Sequence, residues 1–390
     1  MTPAARVQAG IEVLDLVIAA ARSNGAPADR IIAEWFRTRR FAGSSDRRAI
    51  RELVYTAIRA CGDVPQSGRA AMLRLALDDT GLTALFDGSP HAPEPIAPDE
   101  NPAAGGIASK WLTEQLAGSG IDGAEAQALL GRAPLDVRVN NLKAGKLALP
   151  EPGEPCAAPG GLRFAPGTAI DQWDAFKSGA IEVQDAGSQL ACQALAARPD
   201  EVIIDLCAGA GGKSLALAAA MDNRGTIIAC DTDRRRLSQL PPRAERAGAS
   251  IITTHLLDTG RELAALDGWL GRADAALVDA PCSGTGTWRR NPEARWRLTD
   301  DGLTRLTLLQ ARLLDLAAKL LRPGGRLIYV TCSLLDREGA QQAADFLSRH
   351  GAWRARQPSI AAGRPHGAGL RLTPAHDSTD GFFIACFDLP

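Results

Sequence analysis

The chain has 390 residues, 45% of them hydrophobic and 23% charged, and a formal net charge of −1. This is the profile of a folded globular protein of two or three domains, and it excludes a disordered or fibrous chain. Eight cysteines are present, but no Cys-x-x-Cys pair occurs, so neither a zinc knuckle nor any other metal site is expected.

No apolar run approaches the roughly 20 residues of a membrane helix, and the opening MTPAARVQAGIEVLDLVIAA has polar interruptions and no clean cleavage site. A cytoplasmic protein with reduced thiols and no membrane partner is expected. The overall charge does not announce a nucleic-acid binder. Yet Arg37, Arg39, Arg40, Arg47, Arg48, Arg51 and Arg59 crowd one segment, and Arg289, Arg290, Arg295 and Arg297 another. Each cluster reads either as a solvated helix face or as a phosphate-binding patch, and the sequence leaves both readings open.

Taken in order, the chain begins with helices. Val13, Leu16, Val17 and Ala20 fall at helical spacing, Pro27 opens a second segment through Ile31, Ile32 and Phe36, and Ser45 and Asp46 can cap a third running to Ile58. DGSPHAPEPIAPDENPAAGG, from Asp87 to Gly106, is a loop or linker by composition. Short helices are expected around 108–116 and 123–130. Strand-like pieces DVRVNNL, GLRF and AIEVQD follow Pro134. From about Asp200 the apolar runs VIIDL, TIIAC, ALVDA and RLIYV alternate with helical stretches, which is the pattern of parallel strands with crossover helices. The longest helix carries Leu306, Leu309, Leu313, Leu316 and Leu320 and stops at RPGG. GFFIACF supplies a further strand. The expected fold class is therefore α/β, an open doubly wound sheet whose ligands sit at the carboxyl ends of the strands.

Two glycine-rich loops compete for a ligand. CAAPGG, from Cys156 to Gly161, follows the proline-broken LPEPGEP and precedes GLRF with no helix behind it, so it reads as a surface turn. CAGAGG, from Cys207 to Gly212, follows the strand VIIDL and precedes the helical KSLALAAAM. A strand, a glycine turn and a helix start bring close backbone and free N–H groups to a carboxylate or phosphate. The glycine spacing does not fit a dinucleotide fingerprint. A phosphate-binding P-loop is matched by Gly212, Lys213 and Ser214, with Asp279 able to act on the magnesium side, but Cys207 stands where the first glycine belongs. An S-adenosylmethionine site would use the same loop with Asp231, after TIIAC, on the ribose; Asp231 could equally cap the arginine-rich helix that follows.

Two more strand ends carry cysteines, in DAPCSGTG and VTCS. Cys282 and Cys332 would face one pocket if those strands are neighbours, although a single free cysteine is more often a buried inert thiol. With DLCAGAGGK, the acid of IIACDTDRRRL, Asp258 in HLLD, DAPCSGTGT, NPEARW and LIYVTCSLLDREG in this order, the chain resembles the RsmB-type, or Sun-family, RNA cytosine-5 methyltransferases. FAGSSDRRAIRELVYTAIR is similar to part of the NusB-like domain of that family, and PLDVRVNNLK to its R-x-N segment. The loop departs from the family's C-A-A-P-G-G-K in having Gly209 and Ala210 for Ala-Pro.

The resemblance implies a Rossmann-like catalytic domain over 198–390, preceded by an all-α NusB-like domain over 1–132 that binds RNA and a small α+β subdomain over 133–197. It implies S-adenosylmethionine as cofactor, held by Cys207, Ala208, Gly209, Ala210, Gly211, Gly212 and Lys213, by Asp231 and Arg236, by Asp258 beside the adenine, and by Asp279. It assigns Cys332 as nucleophile and Cys282 to product release. Asp279 is given to the cytosine edge and Lys213 to a place near the base. The implied partner is RNA, ribosomal RNA above all, with an unpaired or flipped cytosine, and the protein is expected to be a monomer. The arginine clusters would contact phosphates. A P-loop nucleotide hydrolase and a catalytically inactive RNA-binding assembly factor are the alternative functions.

Overall fold

In the computed structural model of the chain, which describes residues 1–390 apart from 144 and 146, the elements group into two units. One comprises residues 1–131 together with 287–299, the other 132–286 together with 300–390.

The first unit is helical. Helices α1 (Pro3–Arg22), α2 (Ala28–Thr38), α3 (Ser44–Ala60) and α4 (Gly68–Ala76) bury one apolar core, with Leu14, Val17, Ile32, Phe36, Ile50, Val54, Ile58 and Met72 inside. The third helix is capped two residues before the expected Ser45. Gly43 occupies the cap position, and Asp46 Oδ2 reaches back to accept its N–H at 3.2 Å. Asp46 also pairs with Arg6, which leaves it only 8% exposed.

Residues 287–299 lie in sequence within the segment expected to be catalytic, yet they complete this helical core. Trp296 is buried in it, and the flanking charges finish three helix ends. Glu293 Oε1 accepts the Ala28 N–H at 3.0 Å at the start of α2. Arg295 Nη2 donates to the carbonyls of Ile58 and Cys61 at 2.7 Å each, and to that of Arg59 at 3.3 Å, at the end of α3. Arg297 donates to Ala20, Gly25 and Ala26 at the end of α1. An acid sits at the N-terminus and bases at the C-termini, where the unpaired groups and the helix dipole favour each sign. The phosphate role expected for Arg295 and Arg297 is thereby corrected, because their terminal guanidinium nitrogens donate to backbone carbonyls and Arg295 is 2% exposed.

The second unit holds two sheets. In the smaller one β1 (Leu135–Val139) lies between β3 (Gly161–Phe164) and β4 (Ile181–Val183), with β2 (Glu154–Pro155) outside β3, all antiparallel. CAAPGG forms the turn between β2 and β3, closed by the Cys156 N–H on the Gly161 carbonyl at 3.1 Å. The large sheet is built on β5 (Val202–Asp205), β6 (Thr226–Asp231), β7 (Ile252–Leu256), β8 (Ala273–Asp279) and β9 (Leu321–Thr331), parallel in the order β7-β6-β5-β8-β9. Short strands β10 (Arg354–Arg356), β11 (Arg364–His366) and β12 (Gly369–Leu372) join it around β13 (Phe382–Asp388), which runs antiparallel to β9.

The apolar runs are explained by burial on both faces. Ile203, Ile227, Leu277 and Val330 pack with the helices Ala186–Ala194 and Gly212–Ala220, while Ile204, Ile228, Val278 and Tyr329 pack on the other side with Asp300–Leu320. The strand order turns back at β5, between β6 and β8, and at such a point the carboxyl ends of the strands leave a crevice.

Candidate active site

That crevice is a cavity of about 570 Å³. Of the residues singled out by sequence, Cys207, Asp231, Arg236, Asp279, Cys282 and Cys332 line it. Each stands at or just past the end of a parallel strand or, for Arg236, on the short helix after β6.

The glycine loop is built by its own hydrogen bonds. Ala208 N–H goes to the Cys230 carbonyl at 2.8 Å, Gly209 N–H to Asp231 Oδ2 at 2.7 Å and Gly211 N–H to the Ala208 carbonyl at 2.8 Å. These donors are consumed in shaping the turn, so the front of the loop does not offer the free N–H groups expected of it. The N–H groups of Ala210, Gly212 and Lys213 have no protein acceptor among the described residues, which leaves the helix start as the donor-rich end. Arg243 closes the loop from outside on the Ala210 carbonyl at 2.6 Å.

Gly209 and Gly211 take φ of +55° and +85°. A side chain at Gly211 would meet Leu240, fully buried, at 2.0 Å, whereas one at Gly209 would meet the movable end of Arg236 at 2.6 Å. Gly211→Ala is accordingly expected to weaken methyl-donor binding by roughly tenfold, from about 1–2 kcal/mol of left-handed strain plus displacement of Leu240, and Gly209→Ala by less. Calorimetric titration with S-adenosylmethionine or its sulfur analogue checks the order; equal losses would show that strain alone sets the effect.

Asp231 does not cap the arginine-rich helix. Asp233 does, accepting from the N–H groups of Arg235 and Arg236, and Asp231 is left with one lone pair spare on each oxygen beside the cavity. Asp258 follows Leu257 at the end of β7; it is exposed, and its neighbours Leu257 and Thr259 rather than Asp258 line the cavity.

Lys213 Nζ donates to Asp279 Oδ2 at 2.6 Å. Burial alone would lower the lysine's pKa, but the facing carboxylate outweighs it and holds the ammonium above its usual range. Ser214, which a P-loop would turn toward magnesium, is fully buried and donates instead to Asp205 Oδ2 at 2.6 Å. Burial pushes the Asp205 carboxyl up to about 7.

The cysteines of β8 and β9 meet. Cys282 Sγ and Cys332 Sγ are 3.4 Å apart, and both are partly accessible from the cavity. The hydrogen bond to Cys332, together with burial, keeps the Cys282 thiol well above its usual pKa. Sequence reasoning missed the ion pair of Glu262 with Arg312, 2.8 Å, on the cavity wall, and the buried Gln310. A glutamine at a core position of a leucine-rich helix was the available signal. Cys156 stands apart from this site, packed against the neighbouring core.

Comparison with known proteins places the chain in a family. Residues 192–388 match the family model described as 16S rRNA methyltransferase RsmB/F. A probable ribosomal RNA small subunit methyltransferase B from Synechocystis is 36% identical over 64% of this chain and 59% of its own length. A ribosomal RNA small subunit methyltransferase B from Xanthomonas campestris is 34% identical over 70% of this chain and 65% of its own. The matches thus span less than two thirds of these relatives. The crystal structure of PH0851 superposes with a TM-score of 0.77 at 25% identity, covering 99% of both chains.

Proposed function

Because the chain belongs to the RsmB/F family of 16S rRNA methyltransferases, we propose that it transfers the methyl group of S-adenosylmethionine to carbon 5 of a cytosine in ribosomal RNA, through a covalent bond from Cys332 to carbon 6. The observation that carries this reading is the pair of thiols 3.4 Å apart at adjacent strand ends, beside a Lys213–Asp279 ion pair and a glycine loop.

The cavity suits the donor. Asp231 has acceptor capacity for two ribose hydroxyls, and Leu257 offers an apolar wall for a base. When bound, S-adenosylmethionine supplies an electrophilic methyl on a sulfonium centre.

Carbon 5 of cytosine is a weak nucleophile, and the protein's task is to activate it. As its thiol proton passes to water, the Cys332 sulfur adds to carbon 6, forming the S–C6 bond and moving the C5=C6 electron pair to carbon 5, which can then take the methyl. Asp279 holds the proton taken up at ring nitrogen 3 through a hydrogen bond, and Lys213 fixes the carboxylate on its other side. Completion requires the proton on carbon 5 to pass to water, its C–H pair restoring the C5=C6 bond as the S–C6 pair returns to Cys332. Cys282 is the group nearest the departing sulfur. A base stacked in a duplex cannot present carbon 6 to a thiol, so the target is an unpaired or flipped cytosine.

Incubation with labelled methyl donor and ribosomal RNA lacking the modification, followed by mapping of methylated cytosines, tests the reading. Labelled 5-methylcytosine at a defined position is expected. RNA binding with no methylation on any RNA class tried would overturn it in favour of an inactive assembly factor.

A further inference from the structure

We propose that Glu338 is a positioning residue for Cys282, acting through Ser283 to hold the DAPCSG loop against the VTCS loop. The inference rests on the reading of Cys282 as the release group and deepens it.

Glu338 lies in the 3-10 turn after β9 and is fully buried. A carboxyl group in that position is costly unless every lone pair is used. Its Oε1 accepts from the Ser283 N–H at 2.9 Å and from Gln310 Nε2 at 3.0 Å, and its Oε2 accepts from the Ser283 hydroxyl. Gln310 uses its second hydrogen on the Pro281 carbonyl at 2.9 Å. The residues on both sides of Cys282 are therefore tied, directly or through Gln310, to one carboxylate.

The tie continues to the other cysteine. Ser283 Oγ is 3.2 Å from Ser333 Oγ, and Ser333 Oγ is 3.1 Å from Thr285 Oγ1. Thr285 Oγ1 accepts the Leu334 N–H at 2.8 Å. Each cysteine is thus followed by a serine, and the two hydroxyls meet. The direction of the chain follows from the hydrogens available. Ser283 gives its hydrogen to Glu338, so Ser333 donates to Ser283, and Thr285 donates to Ser333. All three hydroxyls point toward the carboxylate, and each bond polarises the next.

A glutamine of the same volume could still accept from Ser283 N–H and Gln310, but its amide would present hydrogens to Ser283 Oγ and reverse the chain. Glu338 also contributes to keeping the Cys282 thiol protonated, after the Cys332 contact and burial.

The test separates the methyl-transfer step from release. Glu338→Gln, Ser283→Ala and Cys282→Ala are each mixed with RNA and labelled donor; rapid quenching reads the first turnover, and denaturing gels read the fraction held as protein–RNA adduct. First-turnover transfer by Glu338→Gln and Ser283→Ala is expected to stay within about threefold of the unaltered protein while the steady-state adduct rises by roughly tenfold or more. If transfer and release fall together in these two variants while Cys282→Ala still accumulates adduct, Glu338 is a structural residue only and the inference fails. If Cys282→Ala accumulates none, the assignment of Cys282 fails and the inference falls with it.

Discussion

Cys332→Ala is expected to lose methyl transfer by roughly 10⁴-fold or more, and to form no covalent adduct with RNA, because it removes the sulfur proposed to add to carbon 6 and make carbon 5 nucleophilic. Cys282→Ala should behave in the opposite way. It retains the sulfur that attacks, completes methyl transfer once, and then stalls with RNA attached. The two thiols occupy equivalent places at the ends of adjacent parallel strands, so position alone does not separate their roles.

Their surroundings differ. Residues 281 and 283 beside Cys282 are held by Gln310 and Glu338, and its thiol is kept protonated by Cys332 and by burial. Adduct detection by denaturing electrophoresis, with the donor's methyl label followed in parallel, reads both variants in one experiment. Trapping by Cys332→Ala and inactivity of Cys282→Ala would exchange the roles.

Much of this site was legible in the sequence because its residues stand at strand ends. Parallel strands buried on both faces show as uninterrupted apolar runs, and whatever follows each run lands on one rim: Cys207 after β5, Asp231 at the end of β6, Asp279 and Cys282 at the end of β8, Cys332 after β9. CAAPGG and CAGAGGK separate on the same ground, since the first is a hairpin turn after a proline-broken segment while the second joins a strand to a helix.

What stayed hidden depends on acceptors far away in the chain. Glu338 and Gln310 are polar residues whose partners lie 55 and 29 residues distant, and no local pattern announces such pairs. The loop's N–H groups were misjudged for a related reason. Counting donors at a glycine turn does not reveal that Cys230 and Asp231, on the neighbouring strand, already take two of them. For the arginines of NPEARWR a phosphate role is expected only through the family resemblance, because spacing and charge do not distinguish a solvated guanidinium from one that ends a helix.

Arg295 decides between those two readings. Arg295→Met is expected to destabilise the protein by about 3 kcal/mol, because it strips the Arg295 hydrogen bonds from the carbonyls of Ile58, Arg59 and Cys61 at the end of α3, of which Ile58 keeps only a bond from the Cys61 N–H at 3.3 Å. Burial pulls the pKa of this guanidinium down to about 10, which still leaves it charged at neutral pH. Part of the loss is therefore returned when the buried charge is removed, which keeps the expected figure below the sum of the broken bonds.

Arg295→Lys should recover little, since one compact ammonium does not span the carbonyls that the planar fork reaches. Arg40 and Arg48 are exposed and their side chains make no ion pair or hydrogen bond among the described residues, so their alanine variants should change stability by less than about 0.5 kcal/mol. If they meet phosphates, each lowers the slope of log affinity for RNA against log salt by about 0.7. Urea unfolding and a salt series of RNA affinities on the same variants measure both quantities. A stable Arg295→Met protein with a reduced salt slope would return Arg295 to the RNA surface; an unstable one with the slope unchanged assigns it to the end of α3.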